Sequence, residues 1–254
     1  MGEPFHFVSS MIANDALRSA VERGYEVFAR EPRPTHWRAA PSRDGDALLR
    51  MLTAAPLRDL SDDAIGPYSS WAITTVGSAQ DYRYFLPRIL ALAVANTGWV
   101  GADPPVIASR LMMSQWETWP AVQRHAVLNL FETAFLCSLE GEGSAWMDTE
   151  NWLCGLARLD QPLESFLHAW EAATAAVAGL QLSRFVSGSA KRLGRGGSIG
   201  GGFWDEVHVS VRQRVGAWLL SEPVRRRLEV TLGSVGDEDR WEIEQGLFDL
   251  DRVG

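Results

Sequence analysis

Cysteine is nearly absent: Cys137 and Cys154 are the only two in 254 residues. Two thiols cannot frame a disulfide scaffold, and the N-terminus carries no secretory pattern, so the chain reads as cytoplasmic and reduced. The apolar stretch at 7–12 is far shorter than the roughly 20 residues of a membrane helix, which argues against a membrane partner. Positive charge is in deficit, with 24 Lys and Arg against 32 Asp and Glu and a net charge of −8. Nucleic-acid binding depends on neutralising phosphates, so a nucleic-acid partner is disfavoured. Cations concentrate only at Arg225-Arg226-Arg227 and at Lys191, Arg192 and Arg195, which read as a solvated face and a loop. Strand-period alternation is also missing, apart from a weak stretch at 203–211 that we read as helix. The five histidines (His6, His36, His125, His168 and His208) form no Cys/His cluster with zinc spacing, and no Gly-x-Ser-x-Gly elbow occurs. No metal, cofactor or catalytic residue is expected from these patterns.

What is present is helical periodicity. At 46% hydrophobic and 22% charged residues, the chain can bury a large core. Leu17, Val21, Tyr25 and Phe28 form one stripe, and Ile65, Tyr68, Ala72 and Val76 another. The longest uninterrupted stripe runs through Leu163, Phe166, Leu167, Trp170, Ala173, Thr174, Val177 and Leu180, and predicts continuous helix. Helix starts are marked at Ser61 with Asp62 and Asp63, at Asp103 with Pro104, at Pro120, and at Asp148 with Thr149. Ser78 and Asp81 form a Ser-x-x-Asp start ahead of DYRYFLPRIL at 81–90, where Pro87 predicts a kink or a fresh helix start. Glycines at 98–105 and 140–144 read as connections. Seven of the residues at 188–202 are glycine, and 187–202 reads as a flexible loop.

Pairs starting near Asp62, Asp103 and Asp148 are 41 and 45 residues apart, within the size range of two-helix repeats. The expected architecture is therefore all-α, a single helical domain over 1–254. It would hold about ten helices, as antiparallel pairs stacked in a short HEAT-like solenoid or a multi-helix bundle.

Few residues invite chemistry. The glycine segment has no Gly-Lys-Ser/Thr ending, and Gly194, Gly196 and Gly200 miss the dinucleotide spacing by one. His125 and Cys137, on one predicted helix, are separated by about 18 Å along its axis and form no dyad. His168 can meet Glu164 or Glu171 as a surface ion pair. Most carboxylates sit at helix starts, where the macrodipole favours them. Four residues are the binding candidates. Arg83 and Arg88 flank the distinctive segment and suit bidentate contact with an anion. Trp116 and Trp119, three apart in a connector before Pro120, are candidate aromatic anchors. Eleven tryptophans spread from Trp37 to Trp241 look otherwise like packing units.

The segments DYRYFLPRIL and QWETWPAVQRHAV carry a resemblance. Over residues 20 to 135 the chain resembles a group of bacterial helical proteins that share an acidic-aromatic-Arg-x-Phe-Leu-Pro-Arg segment and a Trp-x-x-Trp-Pro segment. The resemblance implies a helical fold and a bacterial origin but no activity. A Cys-x-x-Cys pair belonging to that group is replaced here by PRPTHWRAAPS, without cysteine. Together these readings predict a non-catalytic scaffold that binds a protein, basic in character, through an acidic and aromatic-anchored surface, as an immunity or antitoxin-type protein would. The rival expectation is an enzyme or small-ligand binder with a tryptophan-lined pocket and an arginine as anion anchor.

Overall fold

The computed structural model describes residues 14–95, 103–141, 148–196 and 198–253. Among these are twelve α-helices, three 3-10 turns and no strand; isolated bridges pair Val76 with Ala39 and with Ala72. The chain is all-α, with two helices beyond the expected ten. The expectations at 7–12, 98–102 and 142–144 lie outside the described residues. Contacts group the chain into two compact units: Met1–Cys137 with Glu142–Met147, and Ser138–Gly141 with Asp148–Gly254.

The first unit holds α1 (Asp15–Phe28), α2 (Gly45–Leu52), α3 (Asp62–Trp71), α4 (Ala79–Ala95), α5 (Pro104–Met113) and most of α6 (Ala121–Glu140). The start signals act as their chemistry requires. Ser61 Oγ accepts the Ala64 N–H at 3.2 Å, and the Asp81 carboxylate accepts both the N–H and the O–H of Ser78 at 2.7 Å. Pro104 takes the first position of α5. The α3 stripe ends sooner than its apolar spacing suggests. Ile73 takes φ +67°, stopping the helix at Trp71, and Val76 reaches the core through the isolated bridges instead.

Pro87 neither breaks nor restarts α4, which runs unbroken from Ala79 to Ala95. From Phe85 onward every residue of α4 is buried, so the helix is packed on all sides and held across the missing N–H. Its partner α1 runs antiparallel to it. Glu31, just past α1, meets Gln80 and Arg83 at the start of α4, while Tyr25 lies beside Arg88 a turn and more along. Trp37 stacks on Tyr68 at 5.1 Å, and Phe85 meets Tyr68 at a tilt of 58° with ring centroids 4.8 Å apart, closing the core over α3 and α4.

The second unit holds α7 (Thr149–Arg158), α8 (Glu164–Ala172), α9 (Ala176–Gly196), α10 (Val209–Leu219), α11 (Glu222–Leu232) and α12 (Asp237–Val253). The long apolar stripe is split. Ala173 turns to ψ 132° and ends α8, and α9 begins at Ala176. No glycine or proline marks the break. Side chains distant in sequence hold it: Trp170 Nε1 donates to the Ala178 carbonyl at 2.9 Å, and Arg227 donates to that of Ala175 at 2.7 Å. The stretch expected to be a loop over 187–202 is helical as far as Gly196.

The most extensive packing in this unit is between α9 and α12. Ser183 and Arg184 meet Glu242 and Gly246, and Gly194 meets Val253, eleven residues further along on both helices. The pair is therefore parallel; the two helices are not consecutive, and the chain returns through α10 and α11. Two glycines permit the close approach. A Cβ on Gly246 would lie 2.2 Å from Ser183 Oγ, and one on Gly179 would lie 2.0 Å from Thr231 Oγ1 in α11.

Gly246→Ala should therefore destabilise the second unit by about 2 kcal/mol through overpacking. Gly188→Ala, in mid-α9 with nothing within 4 Å of a new Cβ, should instead stabilise by about 0.5–1 kcal/mol. Urea unfolding of the two variants checks both signs; a neutral G246A would show that α9 and α12 are not in close contact.

Candidate functional site

Of the four sequence candidates, Arg83 and Trp119 are brought together. Arg83 Nη2 donates to Glu31 Oε1 at 2.6 Å and to Gln123 Oε1 at 2.8 Å, and its guanidinium lies 5.0 Å from the Trp119 ring. Gln123 and Gln80 each donate to Glu31 at 2.6 Å. The network ties the end of α1 to α4 and α6. Arg83 has a carboxylate partner already, so it serves as a clasp and not as a vacant anion clamp.

Arg88 is 2% exposed and donates from Nε to the Leu60 carbonyl at 2.6 Å. It caps a chain turn inside the core and offset the burial that raises the Tyr25 pKa. Trp116 and Trp119 are 4% and 5% exposed. Trp119 packs edge-on against Phe28 at 5.9 Å and donates to the Ser114 carbonyl. Arg88, Trp116 and Trp119 are therefore buried in the core, where rings and guanidinium contribute most to packing.

Clefts open in both units. One, in the first unit, is about 490 Å³ and is lined by Arg33, His36, Trp37, Arg38, Ser78 and Asp81 among others. Several of its polar groups are engaged: Arg33 with the Thr53 carbonyl, Trp37 Nε1 with that of Gly45, and Asp81 with Ser78. The other, of about 520 Å³, lies between α9 and α12 and is lined by Ser187, Lys191, Arg195, Asp249 and Arg252. These cations sit at the C-terminal ends of two parallel helices, where they offset the negative ends of both macrodipoles. Among the described residues, no group of three His, Cys, Asp or Glu side chains could hold a metal, and no helix is long and apolar enough to cross a membrane. His125 and Cys137 stay on one helix, α6, as expected; Cys154 is buried, which pushes its thiol pKa up and leaves it a poor nucleophile. His168 pairs with Glu171 at 3.6 Å on the surface.

One carboxyl is strongly perturbed. Asp148 caps α7, accepting from Glu150 N–H at 3.0 Å, and Glu150 accepts from Trp204 Nε1 at 2.9 Å. Burial, and then the charge of Asp148, push the Glu150 pKa up to about 7; the Trp204 hydrogen bond opposes them. One turn along α7 lies Cys154, and beyond it Arg158, which pairs with Glu206. The group joins α7 to the 3-10 turn Gly202–Glu206 through a carboxyl that is partly protonated near neutral pH.

The outward face of α12 stands apart from these buried groups. Ile243, Gly246 and Leu250 face the unit's interior, while Trp241 and Phe248 are 66% and 54% exposed. They are seven residues apart, so they share one face nearly opposite the buried stripe. Asp237, Glu238, Glu244, Asp249 and Asp251 border them, and Arg252 lies 5.6 Å from the Phe248 ring. Over its length α12 carries seven acids against Arg240 and Arg252. Sequence reasoning counted Trp241 among the packing residues and did not single out Phe248. The missed signal was a double stripe: the spacing of seven occurs once in Ile243 and Leu250 and again in Trp241 and Phe248, one apolar face more than a core needs. No protein-family model, curated protein or solved structure matches this chain.

The Glu150 carboxyl sets a pH dependence. Its folded pKa lies above that of the unfolded chain, so its contribution is fully present below about pH 4.5 and is lost as pH rises through about 7. Glu150→Gln keeps an acceptor for Trp204 but removes the titration. Between pH 4.5 and 8 the variant should gain up to about 3 kcal/mol relative to wild type, read from urea unfolding at each pH. A constant difference across that range would place Glu150 in water.

Proposed function

We propose that this chain is a non-catalytic scaffold that binds a basic protein segment on the outward face of α12, with Trp241 and Phe248 as the anchoring side chains. The observation that carries this reading is the pair of large aromatics left in solvent on a strongly acidic helix. A helix buried on one side has no packing use for a second apolar stripe, and exposed aromatics set among like charges are a typical docking arrangement. The partner's chemistry follows from the border. Carboxylates flanking the two rings would repel an acidic surface and steer a basic one, with attraction that weakens as salt is added. An amphipathic basic helix, apolar on one side and Lys- or Arg-rich on the other, fits both features. The immunity or antitoxin-type role belongs to this reading as one case, in which the basic segment is part of an effector.

A small-ligand reading is favoured by one observation, the cleft of about 490 Å³ with Trp37, Arg33 and Arg38 in its wall. It ranks second because Arg33 and Asp81 in that wall already hold partners within the chain.

A photo-reactive residue at position 245, between the two rings, tests the docking face in the source cell. The expected product is a crosslink to a basic protein, absent from the Trp241→Ala, Phe248→Ala double variant. Affinity of the purified pair should fall about 30-fold for Trp241→Ala alone, as for an interface anchor of about 2 kcal/mol, and should decrease with ionic strength. A crosslinked partner that is acidic, or binding indifferent to both aromatics, would overturn the proposal.

A further inference from the structure

We propose a second site in the same unit: an oxyanion pocket for the phosphate group of a small molecule, built by Arg192 of α9 and Arg212 of α10 around the glycines at 200–202. It is independent of the α12 face. Two guanidiniums converge there on one carboxylate. Arg192 Nη1 is 3.5 Å and Arg212 Nη1 is 3.7 Å from Asp205 Oδ1. Both distances exceed a good charge-assisted hydrogen bond, which runs at about 2.7–2.9 Å. Neither guanidinium donates a hydrogen bond among the described residues, and Arg212 Nε is buried with no acceptor. Each arginine brings five N–H donors that water or an anion must satisfy.

The missing side chain of Gly200 lets the three groups close on one another. A Cβ on Gly200 would fall 2.9 Å from Arg192 Nη1, 3.1 Å from Asp205 Oδ1 and 3.2 Å from Arg212 Nη1, so a side chain there would occupy the meeting point of all three. Gly201, at φ +98°, turns its N–H onto Asp205 Oδ1 at 2.8 Å. A backbone amide and two arginines thus surround one carboxylate oxygen, an arrangement suited to a tetrahedral oxyanion. Arg212 also lies in the first turn of α10, which has no acidic residue there. A cation at the positive end of a helix is unfavourable by itself and favours an added anion.

Asp205 is the internal stand-in. It neutralises one of the two charges, accepts the Gly201 amide and leaves a net positive pocket whose side chains are half exposed at Arg192 and Asp205. A phosphate dianion entering the pocket would engage both arginines and displace the carboxylate toward solvent. The site is not a Walker or dinucleotide loop: its charge comes from two helices that the fold brings to the glycines.

Titration of the purified full chain with inorganic phosphate, followed by calorimetry and by the ³¹P signal, tests the site. Wild type should bind in competition with sulfate but not with chloride. Asp205→Asn keeps an acceptor for the Gly201 amide and removes the competing charge, so it should tighten binding several-fold. Arg192→Gln and Arg212→Gln should each weaken binding at least about tenfold, the loss expected of one charge-assisted contact. Arg214→Gln, which touches only the surface partner Glu164, should leave binding unchanged, and the urea midpoint of each variant reports folding separately. Absence of binding in both wild type and D205N, or equal binding in R192Q and wild type, would overturn the proposal.

Discussion

The second unit depends on the contact of α9 with α12 at Ser183 and Gly246. Because residue 246 has no Cβ, the helices approach until Ser183 Oγ donates to the Glu242 carbonyl at 2.5 Å. This contact determines which side of α12 faces inward. Ile243, Gly246 and Leu250 are buried by it, and Trp241 and Phe248 are turned outward by the same rotation. It also sets the two helices parallel, which draws Lys191 and Arg195 to the same end as Arg252. The exposed aromatic face and the basic cleft are two consequences of one packing choice.

Arginine performs three different tasks in the chain. Arg88 and Arg227 are buried and satisfy carbonyls where the chain turns, at the cost of desolvation that lowers the Arg227 pKa. Arg83, Arg184 and Arg158 are clasps, each holding a carboxylate from another element. Arg192 and Arg212 meet a carboxylate only at long range. Composition weighs all of these equally in the net charge of −8. Their use differs because burial and partner geometry, not residue type, decide how closely a guanidinium is held.

Local signals were legible. The caps at Ser61, Ser78 and Asp148 and the proline at the start of α5 act through backbone groups within four residues, so their chemistry is complete in the sequence. The fresh helix start that Pro87 allowed does not occur, because its local penalty is opposed by burial of the whole of α4 after Phe85, which no local window contains. The break between α8 and α9 was invisible for the same reason: Arg227, which caps it, comes from 52 residues away. Of the binding candidates, Trp116 and Trp119 were chosen for their setting in a connector, yet connectors over a core bury large rings as readily as helices do.

The amino-acid sequence alone determined the helical class and several helix starts, because a helix is built from contacts within a turn and its period is written in residue spacing. It also determined the excess of acid. Which apolar stripe would be covered, which arginines would keep a partner and which end of each helix would meet another were decided only in three dimensions. Those outcomes depend on pairs such as Ser183 with Gly246, and on arginines from two helices meeting at a glycine, and no spacing rule links residues so far apart along the chain.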